Sequence, residues 1–504
     1  MKKFHTFAAF IGCIPVYAQE SPNIIFVLCD DMGYGDLGCY GQRYISTPNL
    51  DKMAREGMLF TQAYAGSPVS APSRATLMTG QHTGHTWVRG NKEYWNAENK
   101  TVRYGDNLDY ALVGQEPYRT DHIILPEVMK CFGYTTGMFG KWAGGHEQSE
   151  STPDKRSVDE YFGYLCQFQA HAYYPNFLHR YIPRLGDTKL HRVVLEDNIT
   201  HGMPCADDYL ERPQYSADLI HHAAMDWLDA QDGKTPFCGI FTYTLPHAEL
   251  AQPADSILLA YKKQFAEDKS WPGQAYSWYN NVDNVHAQFA GMITRLDTYM
   301  GELFCKLREK GLDEKTIVIF SSDNGPHEEG GADPEFFNRD GLLRGLKRSC
   351  HEGGIRIPFI VRWPGHIKAG TRNDHILAFY DIMPTFMDLI GHGDAFPDEI
   401  RRSPDDVFDG ISFAPTLLGN DDLQLQHDHL YWEFHETKQV AVRKGDWKLV
   451  MKDNAYHLYN LRSDIHEDHD VATEYPSILS ELKAIVRKEH VAPELEFFDF
   501  PIPQ

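Results

Sequence analysis

Several short stretches carry side chains whose types and spacing could do chemistry. Asp30-Asp31 follows an apolar run and precedes Gly33 and Gly35. Two adjacent carboxylates repel unless a cation joins them, and oxygen-only ligands suit a hard ion such as Ca2+ or Mg2+. Asp323-Asn324 before Gly325 closes a second apolar run and offers two more hard oxygens. Together the four make a poor set for zinc, which takes His or Cys, and a good one for Ca2+. Ser70-Ala71-Pro72-Ser73-Arg74 puts a hydroxyl at a helix start, with a proline near the first helical position and an arginine one turn on. Arg74 could fold back toward that hydroxyl, and the free N–H groups of the helix start favour an anion nearby. A nucleophilic oxygen, a guanidinium and a helix N-terminus suggest chemistry on a tetrahedral anion. The same five residues also read as an ordinary capped helix. Lys141 follows Gly140, His247 follows Pro246, and Lys347 precedes Glu352-Gly353-Gly354.

Most of these residues stand directly after a predicted strand. Residues 23–28 form a nearly continuous apolar, β-branched run, which reads as a strand buried on both faces. Thr47 caps, Pro48 starts and Gly57 stops a helix with Leu50, Met53 and Ala54 on one face. A strand over 58–65 then delivers the chain to Ser70. A helix over 126–133 precedes a strand over 134–139, and Lys141 lies just beyond its tip. A strand over 237–245 leads to His247. A long helix over 279–310 leads to the strand that ends at Asp323. The loop over 325–344 is polar and glycine-rich, a length that is usually functional. Open α/β sheets place their sites at the carboxyl ends of their strands. The expected fold is therefore α/β, a large mixed central sheet flanked by helices. Short strands over 431–436, 439–443, 447–451 and 457–461, closed by a helix over 476–488, predict a smaller C-terminal α+β subdomain on an antiparallel sheet. The expected boundaries are 1–18, 19–425 and 426–504.

The chain has 504 residues and a formal net charge of −23 from 48 basic and 71 acidic residues. Such acidity argues against nucleic acid or an anionic membrane surface as partner, although a few buried cations can reverse the sign locally. Nine cysteines are scattered without a C-x-x-C pair, which leaves disulfides open. The N-terminus reads as an export signal: Met1-Lys2-Lys3, an apolar stretch over 4–14, and Val16-Tyr17-Ala18 before a cleavage point. Export is the expected outcome, with Cys13 as an alternative lipid-attachment point. No later stretch has the length and apolarity of a transmembrane span.

In their order along the chain, Asp30-Asp31, Ser70 to Arg74 with Thr79-Gly80, Gly140-Lys141-Trp142, Pro246-His247, Asp323-Asn324-Gly325 and Lys347 with Glu352-Gly353-Gly354 resemble the formylglycine-dependent sulfatases of the alkaline phosphatase superfamily. The resemblance implies an alkaline phosphatase-like fold and a Ser70 oxidised to formylglycine, in the serine form matured by a radical, iron–sulfur-dependent enzyme. It implies one Ca2+ held by Asp30, Asp31, Asp323, Asn324 and the modified Ser70. A hydroxyl of the hydrated aldehyde would attack sulfur and form a covalent sulfate ester. Arg74, Lys141 and Lys347 would hold the sulfate oxygens, and His247 would protonate the departing sugar oxygen. Many relatives carry a histidine two residues after the Gly-Lys lysine, where this chain has Ala143. His146, His171 or water could take its place, so the base is unassigned. The expected substrate is a terminal sulfated sugar of a glycan, with galactose or N-acetylgalactosamine types favoured over glucosamine types. His171, Arg339, Glu433, His435 and Glu436 are the candidates to touch its sugar. A phosphatase or phosphodiesterase of the same superfamily and a non-catalytic glycan-binding homologue are the alternative readings.

Overall fold

A computed structural model describes residues 21–95, 112–200, 212–273, 279 and 281–503. The expected export signal, with Cys13, lies outside the described residues. A ten-stranded mixed sheet organises the chain. Its centre is five parallel strands in the order Thr316–Ser322, Asn23–Cys29, Phe237–Thr242, Thr135–Lys141 and Glu160–Tyr164. Phe359–Arg362 and Met58–Phe60 extend one flank by antiparallel pairing, and Thr371–Asn373 finishes it. Phe177–Tyr181 and His191–Val194 extend the other.

Side-chain alternation along a strand explains why the central runs are apolar throughout. Ile25, Val27 and Cys29 enter one core with the helices Pro48–Glu56, Ser216–Ala230 and Val285–Glu309. Ile24, Phe26 and Leu28 enter a second with Ser70–Thr79, Leu125–Cys131 and Ile382–Leu389. Asp30, Lys141, His247 and Asp323 therefore share the carboxyl edge of the sheet, as the strand-end pattern predicts.

Two elements differ from expectation. The run over 58–65 is two strands, Met58–Phe60 in the large sheet and Ala63–Tyr64 paired with Leu377–Ala378. Between them the Thr61 carbonyl accepts from Arg356 Nε at 2.8 Å in place of a ladder partner. The long helix begins at Val285, because Asn284 before it is left-handed (φ 58°) and cannot continue a helix backward.

The strands Leu430–Phe434, Gln439–Lys444, Trp447–Lys452 and Ala455–Asn460 form an antiparallel sheet. One face, with Trp432, Ala441 and Val450, packs on Tyr64, Val69 and Ile355. The other, with Tyr431, Val442 and Leu449, packs on the helix Pro476–Glu489. Seven cysteines among the described residues are free thiols. No helix among those residues is long and apolar enough to cross a membrane.

Candidate active site

Ser70 opens the helix Ser70–Thr79, whose residues through Met78 are all buried, so it needs no polar face. Gly66 lets it pack closely, since a Cβ there would lie 1.6 Å from Thr76 Oγ1. Gly80 closes it in the left-handed region (φ 71°), donating to the Thr76 carbonyl at 3.0 Å. Ser70 does not cap this helix. Its Oγ donates to Asp30 Oδ1 at 2.8 Å, and Lys141 Nζ lies 3.1 Å from it and 2.5 Å from Asp30 Oδ2. Arg74 is not turned toward the hydroxyl either. Its Nε and one terminal nitrogen donate to Asp323 Oδ2 at 3.0 and 2.8 Å, and the other terminal nitrogen donates to the Lys141 carbonyl at 3.3 Å.

Successive strand side chains face opposite ways, yet Asp30 and Asp31 serve one cleft. Asp31 is left-handed (φ 63°), a conformation Asp tolerates, and the kink ends the alternation. Asp31 Oδ1 accepts from Asn324 Nδ2 at 2.7 Å, and Oδ2 accepts from Lys347 Nζ at 2.8 Å. Asp323 Oδ1 accepts the Asp31 N–H at 3.1 Å. Asn324 Oδ1 is buried and has no hydrogen-bond partner. Flipping that amide would set its oxygen against Asp31 Oδ1 and the Gly325 carbonyl, which now accept from Nδ2, so the orphaned oxygen is the consistent assignment. An unpartnered carbonyl oxygen beside three buried carboxylates fits a hard cation.

The charges are balanced at short range. Burial alone would raise the Asp30 carboxyl, but Lys141, His247, Arg74 and Lys347 hold it well below the usual range. Asp31 is lowered in the same way by His247 and Lys347 against burial. Burial and the Asp30 charge instead push Asp323 up to about 6 despite Arg74.

His247 Nε2 lies 2.8 Å from Lys347 Nζ and 3.2 Å from Asp31 Oδ2, while Nδ1 contacts the Ala248 carbonyl. A carbonyl only accepts, so Nδ1 carries the hydrogen and Nε2 accepts from Lys347. Burial lowers the His247 pKa, Asp31 opposes that, and Lys347 adds to it. The His171 ring stacks on His247 at 4.3 Å and 17°. Lys347 also lies 3.4 Å from Glu329 Oε2, and Glu329 pairs with Arg348 and accepts from Tyr279 Oη at 2.7 Å.

Ser70, Lys141, His247 and Lys347 line a cavity of about 700 Å³. Of the candidates to touch a sugar, His171, His435 and Glu436 line it. Arg339 and Glu433 do not. Arg339 is fully buried, with its guanidinium on Asp36 at 3.2 Å and on the Asp31 carbonyl at 2.9 Å, where it holds the kinked turn. Glu433 is 1% exposed and takes Arg89 at 2.8 Å, the Tyr431 hydroxyl at 2.8 Å and His490 at 2.9 Å. Both carboxylate and guanidinium are spent on the protein itself. His146 stacks on Tyr94 at 4.4 Å, away from the cavity lining.

Sequence reasoning missed Glu93, Trp271, Tyr279, Glu329 and Phe497, which also line the cavity. Of these only Glu329 carried a signal, its place in the glycine-rich loop after Gly325.

Comparison with known proteins identifies the family and the fold. The Sulfatase family profile matches residues 22–392. A second profile, N-sulphoglucosamine sulphohydrolase, C-terminal, matches 345–491, starting at the loop that carries Lys347. The N-acetylgalactosamine-6-sulfatase of Rattus norvegicus is 30% identical over 87% of this chain and 73% of its own length. The N-acetylgalactosamine-6-O-sulfatase of Bacteroides thetaiotaomicron is 27% identical over 93% of each. The crystal structure of Ps i-CgsB superposes with a TM-score of 0.70 at 25% identity, covering 94% of both chains. With the strand-end cluster and the matched length, the chain belongs to the sulfatase family and is a sulfuric ester hydrolase of the alkaline phosphatase fold.

Proposed function

We propose that the protein releases sulfate from a terminal sulfated sugar, with Ser70 oxidised to formylglycine and one Ca2+ held by Asp30, Asp31, Asp323, Asn324 and the modified Ser70. One observation carries the reading: the Ser70 oxygen sits at the cavity floor between the Asp30 carboxylate and the Lys141 ammonium. When bound, Ca2+ lowers the pKa of an attacking oxygen, and an aldehyde hydrate supplies the second hydroxyl that a plain serine lacks.

The chain's own side chains supply the rest. Lys141 Nζ and Lys347 Nζ are the donors turned toward the floor, and they would meet the sulfate oxygens as charge develops. Arg74 acts one layer behind them, holding Asp323 and the Lys141 carbonyl in place. Arrival of an anionic ester draws Lys347 toward the sulfate and favours a proton on His247 Nε2. The departing sugar oxygen takes that proton. The Ala248 carbonyl keeps Nδ1 protonated throughout. Of the two histidines that could stand in at the Ala143 place, His171 reaches the cavity, and it would serve there directly or through water.

Relatives described as N-acetylgalactosamine-6-sulfatases support a galacto-configured sugar. The serine form of the motif supports a radical maturating enzyme as partner, and the N-terminal residues support export. The deciding measurement is the intact mass of the Ser70 peptide from the native host, with a screen of sulfated mono- and disaccharides for released sulfate. A peptide two hydrogens lighter than serine is expected. Plain serine in a protein that still turns over would overturn the proposal.

A further inference from the structure

The cavity is electrostatically two-layered. Its floor presents Lys141 and Lys347, matched to one sulfate. Toward solvent the cavity presents Glu328 and Glu436, both exposed, and the partly buried Glu93. The nearby cations are already committed. Arg348 pairs with Glu329 and lies 3.7 Å from Glu436. Lys92, behind the Phe497 ring, is held by Glu116 at 2.6 Å. Glu93 is fixed by Gln167 at 3.3 Å and Gln115 at 3.4 Å; burial and the Glu436 charge raise its pKa, while the Gln167 hydrogen bond and the Lys141 charge oppose the rise. Carboxylates accept well from sugar hydroxyls, and the Phe497, Phe168 and Trp271 rings beside them suit the C–H face of a pyranose.

From this arrangement, and resting on the carbohydrate sulfatase reading above, we propose that the mouth selects a sugar with one sulfate and rejects a second negative charge next to it. Glu93 and Glu436 are the specificity-determining residues. A second sulfate or a neighbouring uronate would be brought against two carboxylates with no free cation among the described residues to receive it. Like charges brought together out of bulk water repel strongly. The −23 net charge of the whole chain adds to the same bias.

The test compares kcat/KM for a singly sulfated N-acetylhexosamine with that for the same sugar carrying a second sulfate, read as released sulfate. Wild type should favour the singly sulfated sugar by at least about tenfold. Glu93→Gln with Glu436→Gln should narrow that ratio severalfold, and Glu436→Gln alone, at the rim, should narrow it without disturbing the Glu93 hydrogen bonds. Equal or better turnover of the doubly sulfated sugar by wild type would overturn the inference. So would a ratio that neither substitution moves. Hydrolysis of an aryl sulfate but of neither sugar would instead sink the carbohydrate reading, and the inference with it.

Discussion

Two clusters of buried charge flank the loop that carries Lys347, and they are built differently. Toward the cavity, Asp30, Asp31 and Asp323 meet Arg74, Lys141 and Lys347, and Asn324 keeps an unpartnered oxygen. On the other side, Glu352 takes Lys448 at 2.8 Å, the Tyr64 hydroxyl at 2.7 Å and Arg356 at 3.2 Å. Glu467 joins through Lys448 at 3.2 Å and the Glu352 N–H at 2.7 Å, and Arg443 reaches the Tyr64 hydroxyl. The second cluster ties the Glu-Gly-Gly turn to the C-terminal sheet and does not face the 700 Å³ cavity. Desolvation is costly in both. The difference is what the cost sustains. One cluster is tied to the protein except at Glu467 Oε1, which has the Lys448 ion pair but no hydrogen bond, and it fixes the docking of two elements, while the other borders the cavity with Asn324 Oδ1 unpartnered.

The sharpest way to break this comparison is to remove one member from each side. Ser70→Ala should lower turnover by at least about 10³-fold. Its melting temperature should stay close to that of wild type, because the Asp30–Lys141 pair remains. Lys448→Met should do the reverse. Removing one partner strands buried carboxylates and costs about 3–5 kcal/mol of stability, read by denaturant titration, while the folded fraction still hydrolyses an aryl sulfate. A Ser70→Ala protein that unfolds, or a Lys448→Met protein that is stable, would erase the distinction.

A smaller effect should follow from the floor lysines. Lys141→Ala and Lys347→Ala should each cost about 10²–10³-fold in kcat/KM, the size of a lost transition-state donor. Arg74→Lys should cost less in sulfate contact than in geometry, because its bonds go to Asp323 and a carbonyl. Metal removal should sharpen the contrast further. On the Ca2+ reading, chelation should lower the stability of wild type by about 2.7 kcal/mol relative to a hundredfold excess of Ca2+ over its dissociation constant, seen as a fall in melting temperature. Asn324→Ala should shrink that response, and Lys448→Met should leave it intact.

The strand-end residues were legible because a parallel sheet sends every central strand to the same edge, so Asp30, Lys141, His247 and Asp323 could be placed together from hydrophobic runs alone. The inward or outward use of a charge was not legible. Arg339 resembles a ligand-binding arginine in a glycine-rich loop, yet Asp36 and a carbonyl consume it. Glu433 sits on a strand among aromatics, where only its partners Arg89 and His490 show that it is closed off. The cavity wall was also hidden, since Glu93 and Phe497 lie about four hundred positions apart and meet without a shared motif. Such walls come from packing, which no local spacing encodes.

The smallest effect concerns pH and belongs to the closed cluster alone. Burial pushes Glu467 up to about 7, with Lys448 opposing and Glu352 adding to the rise. Glu352 is held down at about 2, where burial is outweighed by Lys448 and Arg356. The two act in opposite windows. An acid with a raised folded pKa keeps its proton longer when folded, so stability falls as pH climbs from the usual carboxylate range through 7. The lowered Glu352 contributes stability above the usual range and loses it only in strong acid. Between pH 5 and 8 the Glu467 proton therefore dominates this cluster's contribution. Glu467→Gln keeps an acceptor for the Glu352 N–H and removes the titration. Relative to wild type it should gain stability on going from pH 5 to pH 8, by about 1–2 kcal/mol. Paired melting curves at the two pH values read the difference. A gap that stays constant would mean that Glu467 titrates normally, and that the second cluster is less closed than its geometry indicates.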